Sequence, residues 1–355
     1  MRFADVLEIR NGRNQRQVEC PNGKYPIYGS GGVMGYANSY ICEANTVVIG
    51  RKGNINNPIF VEEPFWNVDT AFGLIPHADV LIPKYLFYFC ENYNFEKLNT
   101  TVTIPSLTKA NLLQVEIDVP EIGIQKSRVG ILDKIEHSCR LLQQEVLRLD
   151  QLVKSRFIEL FGDPQRNPHG YKHTKLSDIA TYYNGLTYKP ENVAAEGTIV
   201  LRSSNIQNSQ LDFADTVRVD CAIKERLMVQ KNDILMCSRN GSAKLVGKVA
   251  LIKDIQEPMS FGAFMMIIRS HYFGYLMTYF QMDAFRQQIK TGATTTINQI
   301  TGRMLDDVTI PLPPMSLVDQ FATFVEQTDK SKLAVKQSLE KLENLKKSLM
   351  QQYFG

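Results

Sequence analysis

The sequence predicts an α+β chain in which two mixed α/β modules alternate with two long helices. The helices are expected to pair as an antiparallel coiled coil, relating the modules by an approximate two-fold axis. Three observations predict this: an internal repeat at an offset of 193, a proline-free heptad stretch in each copy, and short β-rich segments elsewhere. The implied division is a first module over 1–103, a helical block over 104–162, a second module over 163–296 and a second helical block over 297–355.

The repeat comes first. Aligned without a gap, Ile104–Gly162 and Ile297–Gly355 are identical at fourteen of 59 positions, among them Thr108, Leu112, Val115, Ile117, Pro120, Leu149, Leu152, Phe161 and Gly162. Ordinary composition gives roughly one match in sixteen by chance. Both copies end in Lys-Ser, five residues, then Phe-Gly. A second match opens each half: Phe3-Ala4-Asp5-Val6 with Asn11-Gly12 parallels Leu176-Ser177-Asp178-Ile179 with Asn184-Gly185, at an offset of 173. The second copy therefore carries 20 extra residues between its matched ends.

No proline falls between Pro120 and Pro164, and none follows Pro314. Leu132, Ile135, Cys139, Leu142, Val146, Leu149, Val153 and Leu160 keep alternating spacings of three and four, with Arg156 as the break. That is a heptad seam, so a helix packing on another helix. Val335, Leu339, Leu342, Leu349 and Tyr353 keep the register in the second copy; Lys346 interrupts it, and Thr328 and Lys332 weaken its start. Helices of roughly 36 residues are about 54 Å long. The simplest partner for one seam is the other; each helix packing on its own module is the alternative.

In the first module, Val47-Val48-Ile49-Gly50 has the pattern of a buried strand ending in Arg51-Lys52-Gly53-Asn54. In the second, Ile234-Leu235-Met236-Cys237 ends in Ser238-Arg239-Asn240-Gly241-Ser242. A strand that delivers arginine, glycine and small polar residues into a tight loop suits contact with a base edge or phosphate. A plain hairpin turn with an exposed arginine uses the same residues. Tyr25–Tyr36 (YPIYGSGGVMGY) fits a recognition loop or a glycine-rich hairpin. The threonine runs Thr100–Thr103 and Thr294–Thr296 fit hydroxyl contacts to phosphate or edge strands.

Composition excludes several function classes. The 355 residues carry 44% apolar and 22% charged side chains, and no stretch approaches the length a membrane span needs. The start Met1-Arg2-Phe3-Ala4-Asp5 has no signal-peptide apolar core, so a cytoplasmic protein without a membrane role is expected. The six cysteines form no C-x-x-C pair, and His169 and His173 stand in a turn without a cysteine partner, so no metal is expected. The net charge of +3 neither demands nor excludes a nucleic acid. Residues 1–103 hold 9 basic and 10 acidic side chains, and residues 163–296 hold 16 and 12.

Catalytic signatures fail. Gly241–Val249 (GSAKLVGKV) has five residues between glycines, where a P-loop has four, and lacks the Ser/Thr that binds magnesium. Asn57-Pro58-Ile59-Phe60 lacks the second proline of an adenine-methyltransferase N-P-P-Y/F loop. There is no G-x-S-x-G elbow. The chain is expected to be non-catalytic and to bind no cofactor itself.

Two variable modules, each followed by a matched long helix, resemble the specificity subunit of type I restriction–modification systems over essentially the whole chain. The most specific stretches are YPIYGSGG, IGRKGNI and FWNVDTAF within Tyr25–Asp69 and onward, with Pro120 and Pro311–Pro314 leading into the helices. The resemblance implies two target-recognition domains, each reading one half of a split double-stranded DNA site, with the helices as a ruler for the spacer. It also implies two methyltransferase subunits and restriction/motor subunits as partners, which would bring S-adenosylmethionine, ATP and Mg. Candidate DNA contacts are then Tyr28, Ser30, Tyr36, Arg51, Lys52, Asn54, Thr101 and Thr103 in the first module. In the second they are Arg202, Ser204, Arg239, Asn240, Ser242, Lys244 and Thr295. Leu142, Val146, Leu149, Val153, Val335, Leu339, Leu342 and Leu349 are the candidate helix-pair or partner interface. The competing expectations are a protein-interaction scaffold without DNA and the specificity subunit of a type IIB-like system.

Overall fold

The computed structural model describes residues 1–99, 105–290 and 299–355. Its mixed α/β chain forms two compact units, Met1–Glu145 with Val335–Gly355, and Val146–Ala334. Compactness thus groups each module with part of both long helices.

In the first unit, the buried Phe3 and Val6 anchor a short helix that runs into the strand Leu7–Asn11. That strand leads a four-stranded sheet continued by Ala71–Pro76, Thr46–Gly50 and Ile59–Val61 in that order, every pair antiparallel. Thr46–Gly50 is buried along its length, as suits a central strand whose β-branched Val47, Val48 and Ile49 pack on both faces. A smaller sheet joins the hairpin Tyr25–Gly29 and Gly32–Ala37 to Trp66–Asn67. The helix Pro83–Asn92 starts with its proline in the first turn and buries Tyr85, Leu86, Tyr88 and Phe89.

The second unit repeats this plan. After the helix Leu176–Ile179, Thr181–Asn184 leads a four-stranded antiparallel sheet continued by Met265–Arg269, Ile234–Cys237 and Val249–Leu251. The second sheet differs: it has four strands, with Thr198–Leu201 lying between Arg218–Val219 and a parallel Met259–Phe261.

The sequence matches have physical explanations. Gly12 and Gly185 occupy equivalent places, and a Cβ on either would lie 1.7 Å from the Val68 carbonyl oxygen or 2.1 Å from that of Gly262. Only glycine permits that approach of two backbones. The Thr108 and Thr301 hydroxyls each accept from the amide three residues on, Asn111 or Met304, and so cap a short helix. Leu112, Val115 and Ile117 are buried, as are their counterparts Leu305, Val308 and Ile310. The amide of Phe3 donates to the Val115 carbonyl, and Leu176 to that of Val308, both at 2.9 Å.

The long helices are Ile122–Phe161 and Met315–Phe354, 40 residues each and offset by the same 193 positions as the sequence repeat. Their terminal phenylalanines explain the repeated Phe-Gly ending. Phe161 packs edge-on to Tyr275 at 5.0 Å, and Phe354 packs edge-on to Tyr85 at the same distance. These tyrosines are counterparts: Tyr85 donates to the Asp118 carbonyl at 3.3 Å and Tyr275 to that of Pro311 at 3.0 Å.

Candidate nucleic-acid interface

The end of the strand Thr46–Gly50 delivers the loop 51–54 to the surface of the first unit. Gly50 admits the turn because a Cβ there would lie 2.1 Å from the Asn54 carbonyl oxygen and 3.0 Å from the Ser30 Cβ. The tip of the Tyr25–Ala37 hairpin and the loop are therefore neighbours. The Arg51 and Lys52 amides both donate to the Thr70 carbonyl, at 2.8 and 3.3 Å, and Leu107 donates to the Arg51 carbonyl at 2.9 Å. The backbone is pinned while the side chains of Arg51, Lys52 and Asn54 stay exposed. Arg51 lies over the Phe72 ring at 5.7 Å. Ser30 is half-buried against this loop. Tyr28 points inward, edge-on to Phe65 at 5.4 Å, and burial first, then Glu63 and Tyr36, push its phenol upward in pKa. Tyr28 is half-buried, like Ser30. Tyr36, 47% exposed, remains on the hairpin surface.

The second unit has the same device. The Ser238 and Arg239 amides donate to one carbonyl, that of Phe264, at 3.0 and 3.1 Å, and Ile300 donates to the Ser238 carbonyl at 2.7 Å. Arg239 bridges to Gln299, as Lys52 bridges to Ser106. The structural counterpart of Arg239 is therefore Lys52, and that of Arg51 is Ser238. The strand alignment of Val47–Gly50 with Ile234–Cys237 gives the same pairing. The Arg239 guanidinium lies over the Phe264 ring at 5.4 Å.

Asn240 ties this loop to a second one. Its Nδ2 donates to the Ser203 hydroxyl at 3.3 Å, while its Oδ1 accepts from the Ser242 amide at 2.9 Å. The structure thereby brings Arg202, Ser204, Arg239, Asn240 and Ser242 into one region, with Lys244 exposed farther along the same turn. A cleft of about 370 Å³ opens here between the segments 186–188, 202–204 and 262–265. Sequence reasoning missed Tyr188 and Phe264 in this cleft and Asp215, which pairs with Arg202, because three separate loops converge on it. Thr101, Thr103 and Thr295 lie outside the described residues.

The helix seam contains more chemistry than its heptads show. Leu142, Val146, Leu149, Val153, Val335, Leu339, Leu342 and Leu349 are all half-buried. The polar breaks are partnered. In the first unit, Lys346 bonds Glu136 at 2.7 Å and Glu91 at 3.0 Å, and lies over the Tyr88 ring at 5.6 Å. Burial works against its charge, but these carboxylates hold the ammonium above the usual lysine range. Leu132 and Met350 share a buried cluster with Tyr88. In the second unit, Lys332 is buried and ion-paired with Asp150, and Arg156 lies over Phe324 at 5.8 Å. Each unit therefore contains contacts between its own portions of the two long helices.

The described residues contain no group of three or more His, Cys, Asp or Glu able to hold a metal ion, and no helix long and apolar enough to cross a membrane. The six cysteines are free thiols, and burial pushes that of Cys42 up to about 12.

Comparison with known proteins decides the family. The model for the type I restriction modification DNA specificity domain matches residues 1–150 and again 168–344. The chain belongs to this family. The two matches to the specificity-domain model fall on the two halves of the duplication. Among similar curated proteins are the type I restriction enzyme EcoKI specificity subunit of Escherichia coli K12 and the StySPI specificity subunit of Salmonella potsdam. Each is 27% identical over 196 residues, covering 52% of this chain and 42% of the relative. The matched stretch thus spans less than half the length of these curated relatives. The fold is that of the type I restriction-modification system S subunit from M. genitalium, with a TM-score of 0.64 at 16% identity, covering 100% of this chain and 95% of the other. A second solved type I system chain matches with a TM-score of 0.61 at 14% identity, covering 100% and 96%.

Proposed function

We propose that this chain is the DNA-specificity subunit of a type I restriction–modification system, reading a bipartite site with one half-site per unit. The observation that carries the reading is the repeated device of a buried antiparallel sheet whose central strand ends in a pinned loop bearing an exposed cation. Lys52 and Arg239 occupy that position. A pinned backbone with a long cationic side chain gives phosphate attraction and base-edge contact without a large ordering cost.

On this reading the two long helices pair along their length as an antiparallel coiled coil, relate the recognition domains by an approximate two-fold axis and fix the spacer. Their outward faces hold two methyltransferase subunits, which restriction/motor subunits then join. Leu152 and Leu345, at matched repeat positions, are 48% and 46% exposed, and Ile124 and Ile131 are 47% and 41% exposed. Exposed apolar side chains on otherwise polar helices, with Leu152 and Leu345 at one matched pair, support docking of a partner. S-adenosylmethionine, ATP and Mg belong to those partners, and the assembly works in the cytoplasm on chromosomal DNA.

The loops supply a direct test. Lys52→Ala and Arg51→Ala are expected to weaken or relax the first half-site alone, and Arg239→Ala the second alone, each by about 1–3 kcal/mol where a base edge is read. Binding of the chain with its methyltransferase to duplexes mutated in one half-site measures this. Equal loss at both half-sites from either change would contradict it, and absence of any sequence preference would point to a scaffold without DNA.

A further inference from the structure

The cleft of the second unit is lined by a half-buried guanidinium, that of Arg202. Arg202 follows the buried strand Thr198–Leu201, and its amide donates to the Asn205 side chain at 2.8 Å. Its Nη2 lies 2.8 Å from both carboxylate oxygens of Asp215. Its Nε is buried with no hydrogen-bond partner among the described residues. Asp215 is itself fixed by its main chain, whose carbonyl accepts from the Asn205 side chain at 2.8 Å. A long, flexible cation is thus tied down on one nitrogen and left with donor capacity on the others.

An unmet buried N–H is costly in a finished protein surface. It makes sense in a surface that becomes complete on binding. Its neighbours define what would complete it. Tyr188 and Phe264 line the same cleft, Ser203 joins it to the Arg239 loop through Asn240, and Arg239 lies over the Phe264 ring. A phosphate would be served by a mobile, fully solvated cation and needs neither an orienting carboxylate nor aromatic walls. The carboxylate at 2.8 Å would instead repel a phosphate oxyanion.

We infer that Arg202, oriented by Asp215, selects a guanine in the second half-site. This rests on the DNA-specificity reading above and deepens it. A guanidinium is a donor-only group. The guanine major-groove edge presents two acceptors, N7 and O6. Adenine and cytosine set an amino donor in the same groove, and thymine replaces the second acceptor with a methyl. Asp215 supplies the orientation that turns a charge into a direction, so it is a positioning residue for the contact, and its own carboxylate is used up by Arg202.

The test reads the methylated motif of cells carrying the whole system with wild-type, Arg202→Gln, Arg202→Lys or Asp215→Asn chain. The wild-type motif is expected to contain a guanine in one half-site, and Arg202→Gln to lose preference for that base by about tenfold or more. Arg202→Lys keeps the charge without the planar fork and should lose the same preference, and Asp215→Asn should lose part of it. The other half-site and the spacer should not move, which excludes misfolding as the cause. A bipartite motif whose bases are indifferent to all three changes overturns the assignment and leaves the specificity reading standing. A wild-type chain that yields no bipartite motif overturns both.

Discussion

Lengthening both long helices by one heptad at matched points, after Leu142 and after Val335, is expected to move the two half-sites apart and leave their bases unchanged. Seven residues add about 10 Å of helix, or about three base pairs on rise alone. The wild-type spacing should no longer be bound or methylated. Both helices must be lengthened because each compact unit contains one part of each: Met1–Glu145 is grouped with Val335–Gly355, and Val146–Ala334 holds the remainder. A whole heptad is required because the seam residues Leu142, Val146, Leu149 and Val153 recur at that period. A four-residue insertion within Leu142–Leu152 alone, the simplest change from sequence, would turn the seam away from Lys332 and its partner Asp150. Selection of bound sequences from a library with variable spacers measures the result. An unchanged spacer, or an altered half-site, would contradict the ruler.

Phe161→Ala should cost about 3–5 kcal/mol of stability in the second unit. The side chain is only 2% exposed and touches three other rings: Phe157 at 4.9 Å, Tyr275 at 5.0 Å and Phe321 at 5.4 Å. Those rings come from both long helices and from the module's own helix Phe273–Tyr279. Truncation therefore leaves a cavity where three elements meet, and no single neighbour can fill it without leaving the other two. Hydrogen exchange at Ile234–Cys237 and Met265–Arg269 should show the loss as reduced protection. A loss below about 1 kcal/mol would mean that the aromatic cluster is not the joint between helix and module.

Much of the fold was legible because the duplication exposed it twice. The helix limits, the Thr108 and Thr301 caps, the paired glycines Gly12 and Gly185 and the terminal Phe161 and Phe354 all sit at positions the two copies share. The heptad breaks were visible at Lys346, Lys332 and Arg156 but not their resolution, since Glu91 and Tyr88 reach Lys346 from the module's own helix Pro83–Asn92 rather than from the seam. The candidate site was less legible. The alignment of Val47–Gly50 with Ile234–Cys237 places Lys52 opposite Arg239, as the ladder contacts do, but not the loops that converge on them. Tyr28 follows a register shift in its strand, after Ile27, and its ring partner Phe65 lies far along the chain. Asp215 carries no signal at all beside its sequence neighbours, because its meaning is the contact with Arg202.

The central claim is that this one chain dictates a two-part DNA motif. Long-read sequencing of modified bases in the host genome, with and without the gene, tests it most directly. Loss of one bipartite methylated motif on deletion, restored by the wild-type chain and altered in one half-site by Arg239→Ala, is the expected result. A methylome unchanged by deletion while the cognate methyltransferase is expressed and active would contradict the claim.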